Sequence, residues 1–463
     1  MLDSELQREV IKRALSNGGE YADLFVEHRK QTSLILEDGT LEKIIIGSDS
    51  GAGIRLVWNG KTSYAYSNDL TKEALMRAAS EVSKAAAGRP SGSVIDLTVR
   101  RPAVTFEVTR CPADVPIEEK ISIVSAANDA SREFDSRIKQ VTAIYRDSVQ
   151  DVCIASSDGF VAEDERIYTS AIIQVVAVHN SVIQTGYESV GGFTGFELFE
   201  KNDIRELGSR AAARAVMMLT ARKVPGGRMP VVISSNAGGT MIHEAIGHGL
   251  EADLAQQGLS VFSGKKGGRV ASELVTVIDD STLLQRRGSF RFDDEGTPSQ
   301  KTVLVEKGVL KNYMYDKLTA MKDKTRSTAN GRRESYRHRP IPRMTNTFIA
   351  RGETPPEEIV ASLERGLFVQ KMGGGQVNTV TGDFVFDVQE GYLIEKGQRG
   401  EPVRGATLTG NGPQILESID MVGSDQGFSI GTCGKDSQGV PVSDAMPTVR
   451  VPEMVVGGTF GSS

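Results

Sequence analysis

Residues 240–253 read Thr240-Met241-Ile242-His243-Glu244-Ala245-Ile246-Gly247-His248-Gly249-Leu250-Glu251-Ala252-Asp253. Two imidazoles, a carboxylate between them and two glycines interrupt an otherwise apolar helical pattern, which is costly to bury unless something binds there. A strand at 229–234 leads directly into this stretch, and the cluster Pro225-Gly226-Gly227 precedes that strand. Such a proline-glycine cluster marks a break in the chain. Two domains are therefore expected, 1–224 and 225–463.

Before the break, helices and strands alternate in blocks. Asp3 or Ser4 can cap a first helix whose apolar face is Leu6, Val10, Ile11, Ala14 and Leu15, and Gly18-Gly19 stops it. Strands rich in β-branched and aromatic residues follow at 22–28, 32–36, 40–46, 51–58 and 62–66, separated by turn signals such as Asp38-Gly39, Ser48-Asp49-Ser50-Gly51 and Asn59-Gly60. Helices are predicted at 68–87, 116–134 and 202–221, with strands at 140–145, 150–156, 160–169 and 171–178 between the last two. Beyond the break, strands are expected at 274–278, 302–306, 309–315, 384–390, 392–396 and 453–457, and one helix at 356–364. The class is α+β, with N-terminal helices on an antiparallel sheet and a strand-rich C-terminal domain that carries the histidines.

A chain of 463 residues has room for two or three apolar cores, and its 49 glycines suit a strand-rich protein with many tight turns. The formal charge of −6 gives the molecule as a whole no reason to seek nucleic acid. No stretch reaches the roughly 18 apolar residues needed to span a bilayer, and the first residues lack a basic segment followed by an apolar run. The cytoplasm is the expected address. Cys111, Cys153 and Cys433 are too few and too widely spaced for a disulfide framework, so reduced thiols are expected.

A metal-dependent hydrolase needs two or three imidazole or anionic ligands, one open position for water and a carboxylate to take the proton from it. His243, His248 and Glu244 supply most of that set. The familiar zinc motif spaces its histidines four apart, however, and here they are five apart. Five steps on a regular helix rotate about 140°, so the rings would not share a face. Either a wide turn of the π type restores them to one side, or the helix ends at Gly247 and His248 approaches from the turn. The third ligand is open among Cys433, Glu251, Asp253, His179 and His338. Cys433 sits in a loop of small residues, Ser429-Ile430-Gly431-Thr432-Cys433-Gly434-Lys435, where Lys435 would favour the thiolate.

Taken together, His243-Glu244-Ala245-Ile246-Gly247-His248 with Gly249-Leu250-Glu251-Ala252-Asp253, and Asp293-Asp294-Glu295-Gly296-Thr297-Pro298, Arg343-Met344-Thr345-Asn346-Thr347, Gly373-Gly374-Gly375 and Cys433-Gly434-Lys435-Asp436, resemble the TldD/PmbA family in its catalytic, TldD-type branch. The resemblance runs over essentially the whole chain. It implies a cytoplasmic zinc-dependent peptidase with His243, His248 and Cys433 on Zn2+ and Glu244 activating water. It further implies flexible or unfolded peptide substrates, in peptide maturation or antitoxin turnover. As partner it implies a homologous subunit, in a homodimer or in a heterodimer with a metal-free PmbA/TldE-type homologue.

Arg326, Arg332, Arg333, Arg337, Arg339 and Arg343 surround His338 in a dense basic segment. Arg337, His338 and Arg343 are its candidates for a clamp on a peptide substrate, since guanidinium groups pair with carboxylates in a bidentate way. Asp293, Asp294 and Glu295 could answer that segment or form an exposed turn. Two other function classes compete with the peptidase: a non-catalytic peptide-binding or regulatory subunit with a structural metal, and a DNA-associated modulator. The latter requires steeply salt-dependent DNA binding, which the net charge disfavours.

Overall fold

Asp3 accepts hydrogen bonds from the amides of Glu5 and Leu6 and so starts the helix Ser4–Ala14, satisfying two amides that a helix end leaves open. Val10, Ile11 and Ala14 lie on its buried face, as the apolar periodicity requires. The computed structural model describes residues 2–88 and 96–458. Its class is α+β, built around three sheets that each have four or more strands.

The first sheet has seven strands, in the spatial order Lys61–Ser67, Thr40–Trp58, Tyr21–Glu37, Ile138–Ser156 and Phe160–His179, with Thr98–Val99 and Val182–Phe193 both pairing to the last of these. Every pairing is antiparallel except that of Thr98–Val99. Four pairs of strands expected separately are single long elements. The segments at 22–28 and 32–36 form Tyr21–Glu37, and those at 40–46 and 51–58 form Thr40–Trp58. Those at 140–145 and 150–156, and at 160–169 and 171–178, fuse in the same way. The polar residues that read as breaks lie opposite one another: His28 to Gln31 pair with Ser50 to Gly47 on one side and with Asp151 to Ser148 on the other. The ladder satisfies the backbone there, so a polar band crosses the sheet without interrupting it.

One face of this sheet carries the helices. Ser4–Ala14 and Lys72–Ser83 pack over Leu24, Ile54 and Ala155, while Ile117–Phe134 and Ile204–Thr220 cover Leu34, Ala143 and Ile173. The opposite face meets the second half of the chain. There Phe25, Val152 and Ile154 cluster with Tyr336, and a Cβ on Gly51 would sit 2.2 Å from the Tyr336 ring. That close approach explains a glycine in mid-strand where the sequence suggests a turn. Arg55 pairs with Asp23 and, at 2.6 Å, with Glu295, and Arg166 reaches Asp294 at 2.6 Å. Asp293-Asp294-Glu295 is thus a buried tie between the halves and not an exposed turn.

In the second half, Arg365–Val377 pairs with Gly227–Ile233 and with Asp383–Glu395; Gly227–Ile233 continues to Val449–Gly457, then Thr407–Asn411, then back to Asp383–Glu395. These pairings close a ring of five strands. Beside it lies a six-stranded sheet that ends in the hairpin Gly427–Lys435 and Gln438–Met446. The expected strands at 384–390 and 392–396 are one element, Asp383–Glu395, and the helix expected at 356–364 spans Pro356–Ala361. One apolar core fills the space between ring and sheet and includes Met241, Ile242, Ile246, Met344 and Cys433. The histidine stretch crosses that core. Among the described residues, no helix is long and apolar enough to cross a membrane.

Candidate metal centre

The strand Gly227–Ile233 delivers the chain into the core, and a short helical turn, Thr240–Ile242, follows. Residues His243–Gly247 then form a π turn and His248–Leu250 a 3-10 turn. Of the two geometries left open by the sequence, the wide turn is the one adopted. It brings the two rings to a centroid separation of 4.9 Å, nearly perpendicular at 87°. Gly247 has an ordinary helical φ of −55°, so its role is space. A Cβ there would lie 2.2 Å from Met344 Sδ.

Cys433 arrives from the six-stranded sheet, on the strand Gly427–Lys435. Its Sγ stands 3.6 Å from His248 Nε2, and one ligand atom from each of His243, His248 and Cys433 lies within 4.8 Å of the others. Sulfur at ~2.3 Å and nitrogen at ~2.05 Å from a tetrahedral zinc would be roughly 3.6 Å apart. The thiol and the His248 ring are therefore already at metal-bridging separation. No other group of three or more such side chains among the described residues meets the same condition.

The other ring nitrogen of each histidine is held by a carboxylate. His243 Nδ1 is 2.8 Å from Asp444 Oδ1, and His248 Nδ1 is 3.0 Å from Glu251 Oε2. This arrangement fixes ring orientation and turns Nε2 away from the carboxylate, in His248 toward the Cys433 thiol, the pattern common around bound zinc. The donor set and its anchors fit a divalent metal of borderline softness. Glu251, a candidate ligand by sequence, is thus an anchor. Asp444 is absent from the sequence reading because an aspartate within the strand Gln438–Met446 carries no spacing signal.

Lys435 is not directed at the thiol. Its Nζ lies 2.7 Å from Asp253 and 3.1 Å from Glu251, so its charge fixes the anchor of His248. Burial pushes the Cys433 thiol up, but hydrogen bonds from His243 and His248 outweigh it and bring the group down to about 5. Burial likewise lowers both imidazoles, yet Asp444 beside His243 and Glu251 beside His248 prevail. His243 is raised well above its ordinary value and His248 to about 10. Glu251, despite full burial, is held to about 2 by Lys435, His248 and Arg343. Hydrogen bonding between the thiol and the two imidazoles thus favours the anionic sulfur that a metal requires.

Glu244 lines a cavity of about 910 Å³ together with His243 and Asp444. Its carboxyl group takes no hydrogen bond from any described residue, and burial raises its pKa above the ordinary range. The strand Gly427–Lys435, at the edge of its sheet, contributes Gly427 to Thr432 to the same cavity, and Gly373 and Gly374 face it as well.

The basic segment is elsewhere. Arg337, His338 and Arg343 do not line this cavity. Arg337 is exposed and pairs with Asp49, and His338 Nδ1 is 3.0 Å from Ser335 Oγ. Arg343 is fully buried, donating to the carbonyls of Cys433 and, at 3.2 Å, Gln438. It braces the main chain of the cysteine hairpin. His179 is at hydrogen-bond distance from Asn180, away from the cluster.

Comparison with known proteins returns one family along the chain. Models of the PmbA/TldA metallopeptidase domains match it as domain 1 over residues 22–86, as the central domain over 110–219 and as the C-terminal domain over 226–458. A metalloprotease TldD homolog of Haemophilus influenzae is 37% identical over 450 residues, which is 95% of this chain and 93% of that protein. A zinc metalloprotease TldD homolog of Saccharolobus solfataricus is 26% identical over 97% of this chain and 99% of its own. A crystal structure from Thermotoga maritima, described as that of a modulator of DNA gyrase, shares the fold with a TM-score of 0.81 at 22% identity, covering 98% of this chain and 99% of that one.

Proposed function

The chain belongs to the PmbA/TldD family of metallopeptidases, and from that premise we propose that it is a zinc-dependent peptidase acting on flexible or unfolded peptide segments. His243, His248 and Cys433 hold the metal and Glu244 is the general base. The observation that carries this reading is the convergence of those three side chains, from two separate parts of the chain, beside a carboxylate that faces a large cavity.

Zinc at this site would supply Lewis-acid polarisation of a peptide carbonyl and of water. The remaining work falls to the protein. Asp444 and Glu251 keep both Nε2 atoms aimed at the thiol. Glu244 takes a proton from water on a carboxylate oxygen and returns it to the departing amine, and its raised pKa suits it to both transfers. The edge strand Gly427–Lys435 offers main-chain groups to an extended peptide, a pairing that only an unfolded segment can make.

A homologous subunit is part of the same reading. Residues 40–51 of Thr40–Trp58 pair with Tyr21–Glu37 alone, and Ile44, Ile45 and Ile46 on that unpaired edge are 48%, 38% and 66% exposed. Three adjacent exposed isoleucines on an open strand edge suit a protein partner.

The test is cleavage of an unfolded peptide by the purified, zinc-loaded protein and by Glu244→Gln. Wild-type turnover that disappears in a variant of equal zinc content is the expected result. Turnover retained by Glu244→Gln overturns the base assignment, and a metal-loaded wild type inert on unfolded peptides favours the non-catalytic alternative.

A further inference from the structure

Next to the cavity that holds Glu244 lies a second one, of about 330 Å³, and Thr432 lines both. Six arginines line it. Arg166, Arg332 and Arg333 are engaged by Asp294 and by main-chain carbonyls, and the other three reach it from separate places: Arg29 on Tyr21–Glu37, Arg146 on Ile138–Ser156, and Arg287 between the strands Val277–Asp280 and Lys301–Glu306. Arg146 stands at the exposed mouth, while Arg29 and Arg287 are half-buried.

No ion pair among the described residues answers these three charges, and Glu27, which lies within electrostatic reach of Arg29, is already engaged by Gln150 and the Tyr336 amide. Arg29 and Arg146 form no hydrogen bond or ion pair with any described residue, and the Nε of Arg29 is shut away from solvent without an acceptor. Arg287 donates from Nε to the Gly431 carbonyl at 3.3 Å, which leaves its two terminal nitrogens open. The acidic side chains of the lining are engaged by other groups. Asp147 takes Lys120 at 2.7 Å and Tyr145 at 2.6 Å, Asp294 takes Arg166 at 2.6 Å, and Glu334 accepts the Gly439 amide at 2.5 Å. Burial, with Arg146 and Arg29 close by, keeps the Arg287 guanidinium below its ordinary range.

Partly desolvated cations that repel one another around an empty space are unfavourable unless an anion joins them. The planar fork of a guanidinium suits a carboxylate or a phosphate. Two features favour the carboxylate of a peptide. The cavity adjoins the strand that carries Cys433, and its neighbour is the one that Glu244 faces, so a chain lying along Gly427–Lys435 passes its mouth.

We propose that this cavity is an anion subsite, in which Arg29, Arg146 and Arg287 receive a carboxylate of the bound peptide, so that substrates with an acidic group a few residues from the scissile bond are preferred. The proposal rests on the peptidase reading for the identity of its ligand.

Binding is measured with full-length, zinc-loaded Glu244→Gln, so that no cleavage intervenes, using a labelled unfolded peptide containing one glutamate and its glutamine counterpart, each with a free and an amidated C-terminus. The glutamate peptide or the free-acid peptide should bind about tenfold more tightly than its neutral counterpart. Whichever of the two is preferred identifies a side-chain or a terminal carboxylate. The preference should vanish in Glu244→Gln combined with Arg146→Gln, a change at an exposed position. Equal binding of all four peptides, or a preference that survives Arg146→Gln, overturns the proposal, as does inorganic phosphate binding more tightly than any of the peptides. Wild-type cleavage is assayed separately, so an inactive wild type counts against the peptidase reading while the binding comparison still decides the subsite.

Discussion

The backbone amide of His248 donates to the carbonyl of His243, five residues earlier. In a regular helix it would donate to the residue four back, and the two rings would point about 140° apart. One widened turn therefore aligns the pair, and what permits it is packing. Gly247 presses against Met344 so closely that a Cβ would stand 2.2 Å from its sulfur. Gly247→Ala is expected to destabilise the protein by about 1–3 kcal/mol through overpacking and to lower metal occupancy, because relief must come from the turn or from Met344. Chemical denaturation and elemental analysis read the two effects. An alanine variant with normal stability and full metal content would show that the close contact is not a constraint.

The anchors of the two rings should behave differently when removed. Asp444→Asn leaves a hydrogen-bonding side chain next to His243 Nδ1 and is expected to weaken metal binding about 10–100-fold with little loss of fold. Glu251→Gln removes a fully buried charge that Lys435 contacts at 3.1 Å, so it should weaken the metal and also cost about 3–5 kcal/mol of stability. Competition with a chromogenic chelator and urea unfolding separate the cases. Equal stability losses in the two variants would refute the distinction.

The three side chains that cluster were legible in the sequence because each carries a local signal: paired histidines around a glutamate, and a cysteine in a run of small residues. Asp444 has none, and its place follows only from the pairing of Gly427–Lys435 with Gln438–Met446. The placing of the arginine-rich segment depends on long-range pairing in the same way. Sequence density suggested a clamp on substrate, but Arg343 is buried against carbonyls and Arg337 is drawn to Asp49, a contact 288 residues apart. At the level of the fold, helix positions followed from periodicity, whereas strand lengths did not. Polar residues such as those at 28–31 look like a turn until their partners on both sides are known.

The tie between the halves should carry a pH dependence of its own. Burial raises Glu295 above its ordinary 4.5, with Arg55 opposing and Asp316 and Asp293 reinforcing the shift. A group with a raised folded-state pKa binds its proton more tightly in the folded protein, so its contribution is complete below 4.5 and is lost as pH rises through the folded value. Glu295→Gln cannot acquire the charge. The stability of wild type relative to this variant should therefore decline steadily as pH is raised from 4.5, as read by urea unfolding at matched metal content. A difference that grows with pH would mean that the pairing with Arg55 dominates over burial.

The three cysteines give the sharpest comparison. Cys433 joins both imidazoles, whereas Cys153 lies buried among the packed side chains beneath the first helix and Cys111 is apart from both. Cys433→Ser replaces a thiolate by a hydroxyl that stays protonated at neutral pH, and zinc affinity should fall at least a hundredfold. Cys111→Ser should leave it unchanged. Metal held at ~1,000 times its dissociation constant stabilises a protein by about 4 kcal/mol, so a chelator should lower the melting temperature of wild type and of Cys111→Ser alike. It should leave that of Cys433→Ser nearly unmoved, since that variant has little metal to lose. A Cys433→Ser protein that retains stoichiometric zinc and the same chelator-sensitive melting shift would remove sulfur from the ligand set and leave the two histidines to find a third partner elsewhere.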